Sequence, residues 1–435
     1  MMKIKNMNKM KNNKIMKSAK GISGLIVTGF ILCFFSACSD IPSYPFKSNS
    51  KAGAITCTID DNTVIVNPVD AELPSDFMRG FDSSADTESS VSYKNIAGND
   101  CELYETLKSF GVNWVRLRVW NNPYSSKNPS VPGKSNKEVV VGQAVRAKKA
   151  GLKVLLDFHY SDYWADPGKQ LIPEDWLDCT NADQLAIKVS DYTKEVLNAL
   201  KVAGAEPNMI QIGNEISSGM LKHKALDSSE NATNVDDAVR GDFCSANYFK
   251  YLTAGISAAR EICPSAKIML QFTDINRNNP LNYLSNFKTA FEAAGVDYDV
   301  IGLSWYSEWS SHGTLAALGE KIAALKSRFG KEVCVVETNV HWKYEDGSGL
   351  LSNQHKLNLV GADGKVYPGI LTDDNGNIIA SVQNQANIIR AIIEVTAKNG
   401  GSGVFEWGGE YLGAWNSMFA GSGKPLASLA VYGVQ

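Results

Sequence analysis

The stretch MIQIGNEISSG, residues 209–219, decides the fold. Met209, Ile210 and Ile212 read as a short buried strand, and Gly213, Asn214 and Glu215 stand where that strand must end. An amide and a carboxylate at the end of a buried strand suit a protein whose strand ends meet in one place. Seven further segments share this form: FMRGFDSS (77–84), NWVRLRVW (113–120), KVLLDFHY (153–160), KIMLQFTD (267–274), VIGLSWY (300–306), VCVVETN (333–339) and GVFEWGG (403–409). Between them run helical periodicities such as CELYETLKSFG, VGQAVRAKKAGL, ADQLAIKVSDYTKEVLNALKVAG and AIIEVTAKNGG, most with a glycine just before the next strand, as at a helix C-terminus. Eight buried strands alternating with amphipathic helices predict an α/β fold of parallel βαβ units, a (β/α)8 TIM barrel forming one catalytic domain over residues 77–435. An open doubly wound sheet is the other arrangement, but no G-x-G-x-x-G follows the first strand.

Function in such a barrel sits at the C-terminal mouth. The strand ends there carry Asp82; Arg116, Arg118 and Trp120; Asp157 and His159; Asn214 and Glu215; Asp274; Trp305 and Tyr306; Glu337 and Asn339; and Glu406 and Trp407. Strands four and seven are three places apart in an eight-membered ring, so Glu215 and Glu337 can face each other. Two carboxyls about 5–5.5 Å apart suit retaining glycoside hydrolysis, one attacking the anomeric carbon and one protonating the leaving oxygen. The proton donor needs a raised pKa, from burial or from neighbouring negative charge. An Arg and a His nearby would orient the attacking carboxylate, and Asn214 would bond a sugar hydroxyl. A single strand-end Glu is more often a capped or salt-bridged residue; a facing pair flanked by Trp and Tyr points to catalysis. Trp120, Trp164, Trp305, Trp309 and Trp407 read either as core or as platforms for the apolar faces of sugar rings.

Outside the barrel, the first twenty residues hold seven lysines and no acid, and an apolar run, GISGLIVTGFILCFFSAC, follows, too short and too early for a membrane span. Residues 1–37 therefore read as a signal peptide. Its end, Phe35-Ser36-Ala37-Cys38, resembles a bacterial lipobox with Phe35 where Leu is usual, which predicts lipidation of Cys38; the other reading is ordinary cleavage near Ala37 with Cys38 left free. Residues 38–76 read as a polar Pro/Ser-rich tether followed by a short hairpin or extended lead-in. The protein is thus expected to be exported and held at the outer membrane by a lipid anchor, on the cell surface or the periplasmic face. Seven of the 43 basic residues and none of the 46 acidic ones lie in residues 1–37, so the mature chain has a formal charge of −10, which argues against nucleic acid as a partner. The eight cysteines form no C-x-x-C pair and no metal spacing with His.

GVNWVRLRVWNNP, GLKVLLDFHYSDYWADPGKQ, IGNEISSGML, VIGLSWYSEW and VVETN resemble glycoside hydrolase family 53, the endo-β-1,4-galactanases that cut the galactan side chains of pectic type I arabinogalactan. The resemblance runs from Phe77 to the C-terminus. It implies Glu215 as acid/base and Glu337 as nucleophile, with Arg118, Asp157, His159, Asn214, Tyr306 and Trp407 around the cleaved bond. With the other strand-end residues, the expected substrate-binding set also takes in Asp82, Trp120, Trp305 and Asn339. No cofactor is expected for the chemistry, and a monomer is expected.

Two departures stand out. Lys222-His223-Lys224 occupies the place of the family's usual Trp-Pro, so a platform on the leaving-group side is expected to be missing. After Tyr367-Pro368 the chain inserts GILTDDNGNIIASVQ, whose Asp-Asn-Gly reads as a hairpin turn. Some members of the family carry a structural calcium; oxygen-rich segments here are Glu345–Ser348 and Asp373–Asn377, neither an EF-hand, and no ligands are assigned. Two other activities remain open: a β-1,4-glucanase or β-mannanase of the same clan, and a non-catalytic glycan-binding lipoprotein. The last would require a carboxylate to be missing at 215 or 337, and both are present.

Overall fold

A computed structural model describes residues 53–125, 133–227, 231–273, 280–344 and 347–433. Cys38 and the leader lie outside them, as do Asp274 and Glu345. Eight parallel strands close into a barrel: β1 (Met78–Asp82), β2 (Trp114–Val119), β3 (Lys153–Phe158), β4 (Met209–Ile212), β5 (Lys267–Phe272), β6 (Val300–Ser304), β7 (Glu332–Thr338) and β8 (Gly403–Glu406). Each is the core of one of the eight predicted segments. Outside them pack α1 (Leu103–Ser109), α2 (Lys137–Lys149), α3 (Ala182–Val202), α4 (Ala246–Ile262), α5 (Pro280–Ala293), α6 (Leu315–Phe329) and α7 (Val382–Lys398). Small polar residues start the helices: Asn136, Asn181, Ser245, Thr314 and Ser381 each accept a first-turn backbone N–H, satisfying a group the helix leaves unpaired. Gly151 and Gly204, at φ +75° and +68°, stop α2 and α3 in a left-handed conformation that favours glycine.

The barrel interior follows the two-residue period of its strands. Its floor is one apolar cluster with a side chain from every strand: Met78, Trp114, Leu155, Met209, Met269, Val300, Cys334 with Val336, and Phe405. Two residues further along β2, β3, β4 and β5 the same face carries Arg116, Asp157, Gln211 and Gln271. All four are almost fully buried, so a polar layer lies on the floor. Gly80 and Gly302 leave room in it; a Cβ at Gly80 would sit 2.1 Å from the Phe405 ring. Between β6 and β7 the register slips, pairing Leu303 with Val335 but Ser304 with Glu337. Val336 is the extra residue, and both Val336 and Glu337 face the interior.

The lead-in is more integrated than a tether. Ile55–Ile59 and Asn62–Val66 form an antiparallel hairpin that buries Ile55, Cys57, Ile59, Val64 and Val66 in the main core. Gln383 on α7 holds the Ile65 backbone at both N–H and C=O, 2.8 Å each. The inserted segment forms the expected turn: Thr372 bridges Ile378 antiparallel, and Gly376 N–H reaches the Asp373 carbonyl at 2.9 Å. The six described cysteines are all free thiols.

Candidate active site

β4 is only four residues long, and its exit is sharply bent, with Gly213 at φ +80° and Glu215 at φ +47°, ψ +52°. A left-handed Glu is a costly conformation that the surroundings must hold, and such strain concentrates at functional sites. Here Gln271 from β5 holds it, accepting the Glu215 N–H at 3.1 Å. Three donors converge on Glu337: Arg116 Nη1 and Gln271 Nε2 reach Oε1 at 2.7 Å each, and the Tyr306 hydroxyl donates to Oε2 at 2.9 Å. That pattern suits an acceptor-only, ionised carboxylate. Burial, followed by the Glu337 charge, drives the Tyr306 hydroxyl well above its usual range, so it stays protonated and donates.

Glu215 is in the opposite state. Burial first, then the neighbouring Glu337 charge, push its carboxyl up to about 8, against a partial offset from the Ser304 hydroxyl. At neutral pH one carboxyl is therefore a proton donor and its neighbour a hydrogen-bonded anion, the division that acid/base and nucleophilic roles require.

Arg116 is the hub of the polar layer. Desolvation works against its charge, but Asp157, Glu337 and Asp82 outweigh it and hold the guanidinium cationic. It reaches Asp82 at 3.0 Å, Asp157 at 2.8 Å and Asn214 Oδ1 at 2.7 Å. Asp157 also takes His159 Nε2 at 3.1 Å, while His159 Nδ1 accepts from Trp120 Nε1 and from the Ala165 N–H, each at 3.2 Å. Asn214 donates to the Ala165 carbonyl at 2.7 Å, which leaves its second amide hydrogen for a ligand. The cleft above this layer holds about 640 Å³, and its aromatic walls are Trp164, Tyr306, Trp309, Trp407 and Trp415.

Residues 78–435 match the profile of glycosyl hydrolase family 53. The chain belongs to that family. Among family 53 relatives it is 33% identical over 343 residues to the endo-beta-1,4-galactanase of Bacillus subtilis (strain 168), covering 77% of this chain and 70% of that one. It is 32% identical to the arabinogalactan endo-beta-1,4-galactanase of Thermothelomyces thermophilus, covering 81% of this chain and 98% of the relative. The solved family 53 catalytic domain of Ignisphaera aggregans superposes with a TM-score of 0.67 at 32% identity, over 85% of this chain and 98% of the other.

Within the family 53 barrel, Asp82, Arg118, His159, Asn214, Glu215, Tyr306, Glu337, Asn339 and Trp407 all line the cleft. Three expected sugar contacts lie deeper. Trp120 and Trp305 are 0% and 1% exposed; Trp120 supports His159 from behind rather than offering a platform. Asp157, fully buried, acts on Arg116 and His159. Arg118 forms a wall: it pairs with Glu88 at 2.6 Å and lies 4.2 Å over the Trp164 ring, so the arginine on Glu337 is Arg116 instead. Glu406, also buried, accepts the Gly409 N–H and shapes its own turn. His223 is buried in a two-stranded ribbon with its Nδ1 accepting the Gln170 N–H at 2.9 Å, and Lys222 reaches the Ser218 carbonyl, so neither offers an exposed platform in the cleft. Asp373 already accepts from the Asn375 and Asn377 N–H groups and from Asn377 Nδ2, so its own turn satisfies that carboxylate.

Gln211, Gln271, Ser304 and Trp415 were not legible as site residues. The glutamines sit mid-strand, where the signal is the two-residue period up from the apolar floor, and Trp415 comes from a loop with no periodicity to place it.

Proposed function

We propose that the protein is a retaining, endo-acting β-1,4-galactanase that cleaves galactan side chains of pectic type I arabinogalactan into galacto-oligosaccharides. The observation that carries the mechanism is the split protonation of the pair: Glu215 raised to about 8 beside a Glu337 that accepts three hydrogen bonds. Glu337 attacks the anomeric carbon while Glu215 gives its proton to the departing glycosidic oxygen. Glu215, now a carboxylate, then takes a proton from the water that displaces Glu337. Tyr306 and Arg116 hold the Glu337 oxygens in place, and Asn214 turns one amide hydrogen toward the sugar beside the reacting carbon. Trp309, 57% exposed, and Trp407 give the apolar surfaces on which neighbouring galactose units rest. The two galactanase-named relatives support galactan as the substrate.

The discriminating experiment compares purified β-1,4-galactan with carboxymethyl cellulose and mannan. Rapid loss of galactan viscosity with a ladder of oligosaccharides supports the reading; preferential cleavage of cellulose or mannan replaces it with another activity of the clan. The enzyme acts as a monomer, tethered outside the cytoplasm through lipidated Cys38. Cys38→Ala should abolish incorporation of labelled fatty acid without changing specific activity; fatty acid incorporated equally into that variant contradicts the tether.

A further inference from the structure

Beside the cleft, the loops that follow β6 and β7 bring Glu308, His341 and His355 together, each with one ligand-type atom within 4.8 Å of the other two. Glu308 Oε2 lies 3.3 Å from His341 Nε2 and 3.9 Å from His355 Nε2. A tetrahedral ion with bonds of about 2.0–2.1 Å sets its ligand atoms about 3.3–3.4 Å apart, so these spacings are close to the edges of such a site. The same atoms, Glu308 Oε2, His341 Nε2 and His355 Nε2, are buried and make no hydrogen bond, and so is His341 Nδ1. Three buried polar atoms that gather within 4.8 Å of one another without a hydrogen bond are costly unless something sits between them. We propose that this trio is a binding site for a divalent transition ion of the zinc class, clamping the two loops.

The surroundings suit a metal better than an ion pair. His355 is fully buried, and its Nδ1 lies 2.7 Å from the Ser307 hydroxyl, which orients the ring and leaves Nε2 facing Glu308. Orientation of a ligand imidazole through its other nitrogen is the usual supporting arrangement in metal sites. Two imidazole nitrogens and one carboxylate oxygen suit zinc, nickel, cobalt or copper; calcium and magnesium prefer all-oxygen cages. The His341 ring lies 3.7 Å, centroid to centroid, from Trp415, and both Trp415 and Glu308 line the cleft. A bound ion would thus fix one wall of the cleft without entering the chemistry at Glu215 and Glu337.

The test uses the tag-free mature protein, stripped with a chelator, dialysed against Zn2+ or Co2+, and analysed for metal content. The expected result is one ion per chain, with the intense visible bands of four-coordinate Co2+ and a rise in the thermal midpoint on zinc addition. Glu308→Gln, which keeps the side-chain shape, and His341→Ala should abolish the Co2+ bands; Ser307→Ala should weaken binding by about tenfold or more. Substoichiometric metal in the wild type, or bands that persist in both Glu308→Gln and His341→Ala, would overturn the site. None of these readouts depends on galactan hydrolysis, so the site can fail while the enzymatic reading stands, and the reverse.

Discussion

Glu215 shows how burial, joined by a neighbouring negative charge, sets the protonation state of a residue. Its folded carboxyl is raised from 4.5 to about 8. Between those values the unfolded chain has lost the proton that the folded chain keeps, so the unfolded state binds fewer protons and stability falls as pH rises through this window. Glu215→Gln removes the penalty: it should melt near wild type at pH 4 and above wild type at pH 9, by a few kcal/mol, while galactan turnover drops by about 10²–10⁴. Equal melting shifts at both pH values would show that Glu215 is not perturbed. In the wild type, kcat/KM should decline as pH rises through about 8, where the acid form is lost. Arg116 is the complementary case. A lysine there cannot serve Asp82, Asp157, Glu337 and Asn214 at once, so Arg116→Lys leaves buried carboxylates unpaired and should cost about 3–5 kcal/mol in a denaturant titration. A loss below about 1 kcal/mol would mean that the network re-forms around lysine.

At the scale of single elements, the end of β4 carries the geometry. Gly213 at φ +80° and the left-handed Glu215 turn the chain so that Asn214 and Glu215 both enter the cleft. An alanine Cβ at 213 would meet Ile216 Cγ2 at 2.5 Å in a conformation that L side chains rarely adopt. Gly213→Ala should therefore lower stability by about 1–3 kcal/mol and reduce kcat more than it raises KM, as read from melting and steady-state kinetics. Unchanged kcat would show that the turn does not position Glu215. The slip at Val336 does the same on the opposite side, giving Glu337 an inward direction that strict alternation after Val336 would deny it. Neither device is visible in local propensity. The sequence marks where the strands stop, whereas a bulge is set by pairing with a neighbour distant in the chain.

Across the whole molecule, the short apolar runs and glycine stops made all eight barrel strands legible, because strands buried on both sides must be apolar and short. That Glu215 and Glu337 open into one cleft is what their places in the ring lead one to expect. What stayed hidden depends on depth and on partners. Arg116 and Arg118 share one face of β2, and only the packed barrel shows that the lower one meets Glu337 while the upper meets Glu88. Trp120 and Trp305 look like platforms in sequence because an indole at a strand end can face the cleft or pack behind its wall, and here both are buried, Trp120 behind His159 and Trp305 in the main core. The hairpin at residues 55–66 reads in sequence only as a short lead-in, yet its alternate side chains complete the core beside α7.

The account rests on Glu337 forming a covalent bond to the sugar while Glu215 handles protons. The most direct measurement is peptide mass mapping after reaction with a 2-deoxy-2-fluoro-β-galactobioside that carries a dinitrophenolate leaving group, since the fluorine slows hydrolysis of the trapped intermediate. The predicted result is one added fluorogalactobiosyl group per chain, on the peptide containing Glu337, released when a galactan oligosaccharide is added as acceptor. Label on any other carboxylate, or turnover of native galactan with inversion and no trapped adduct, would contradict it.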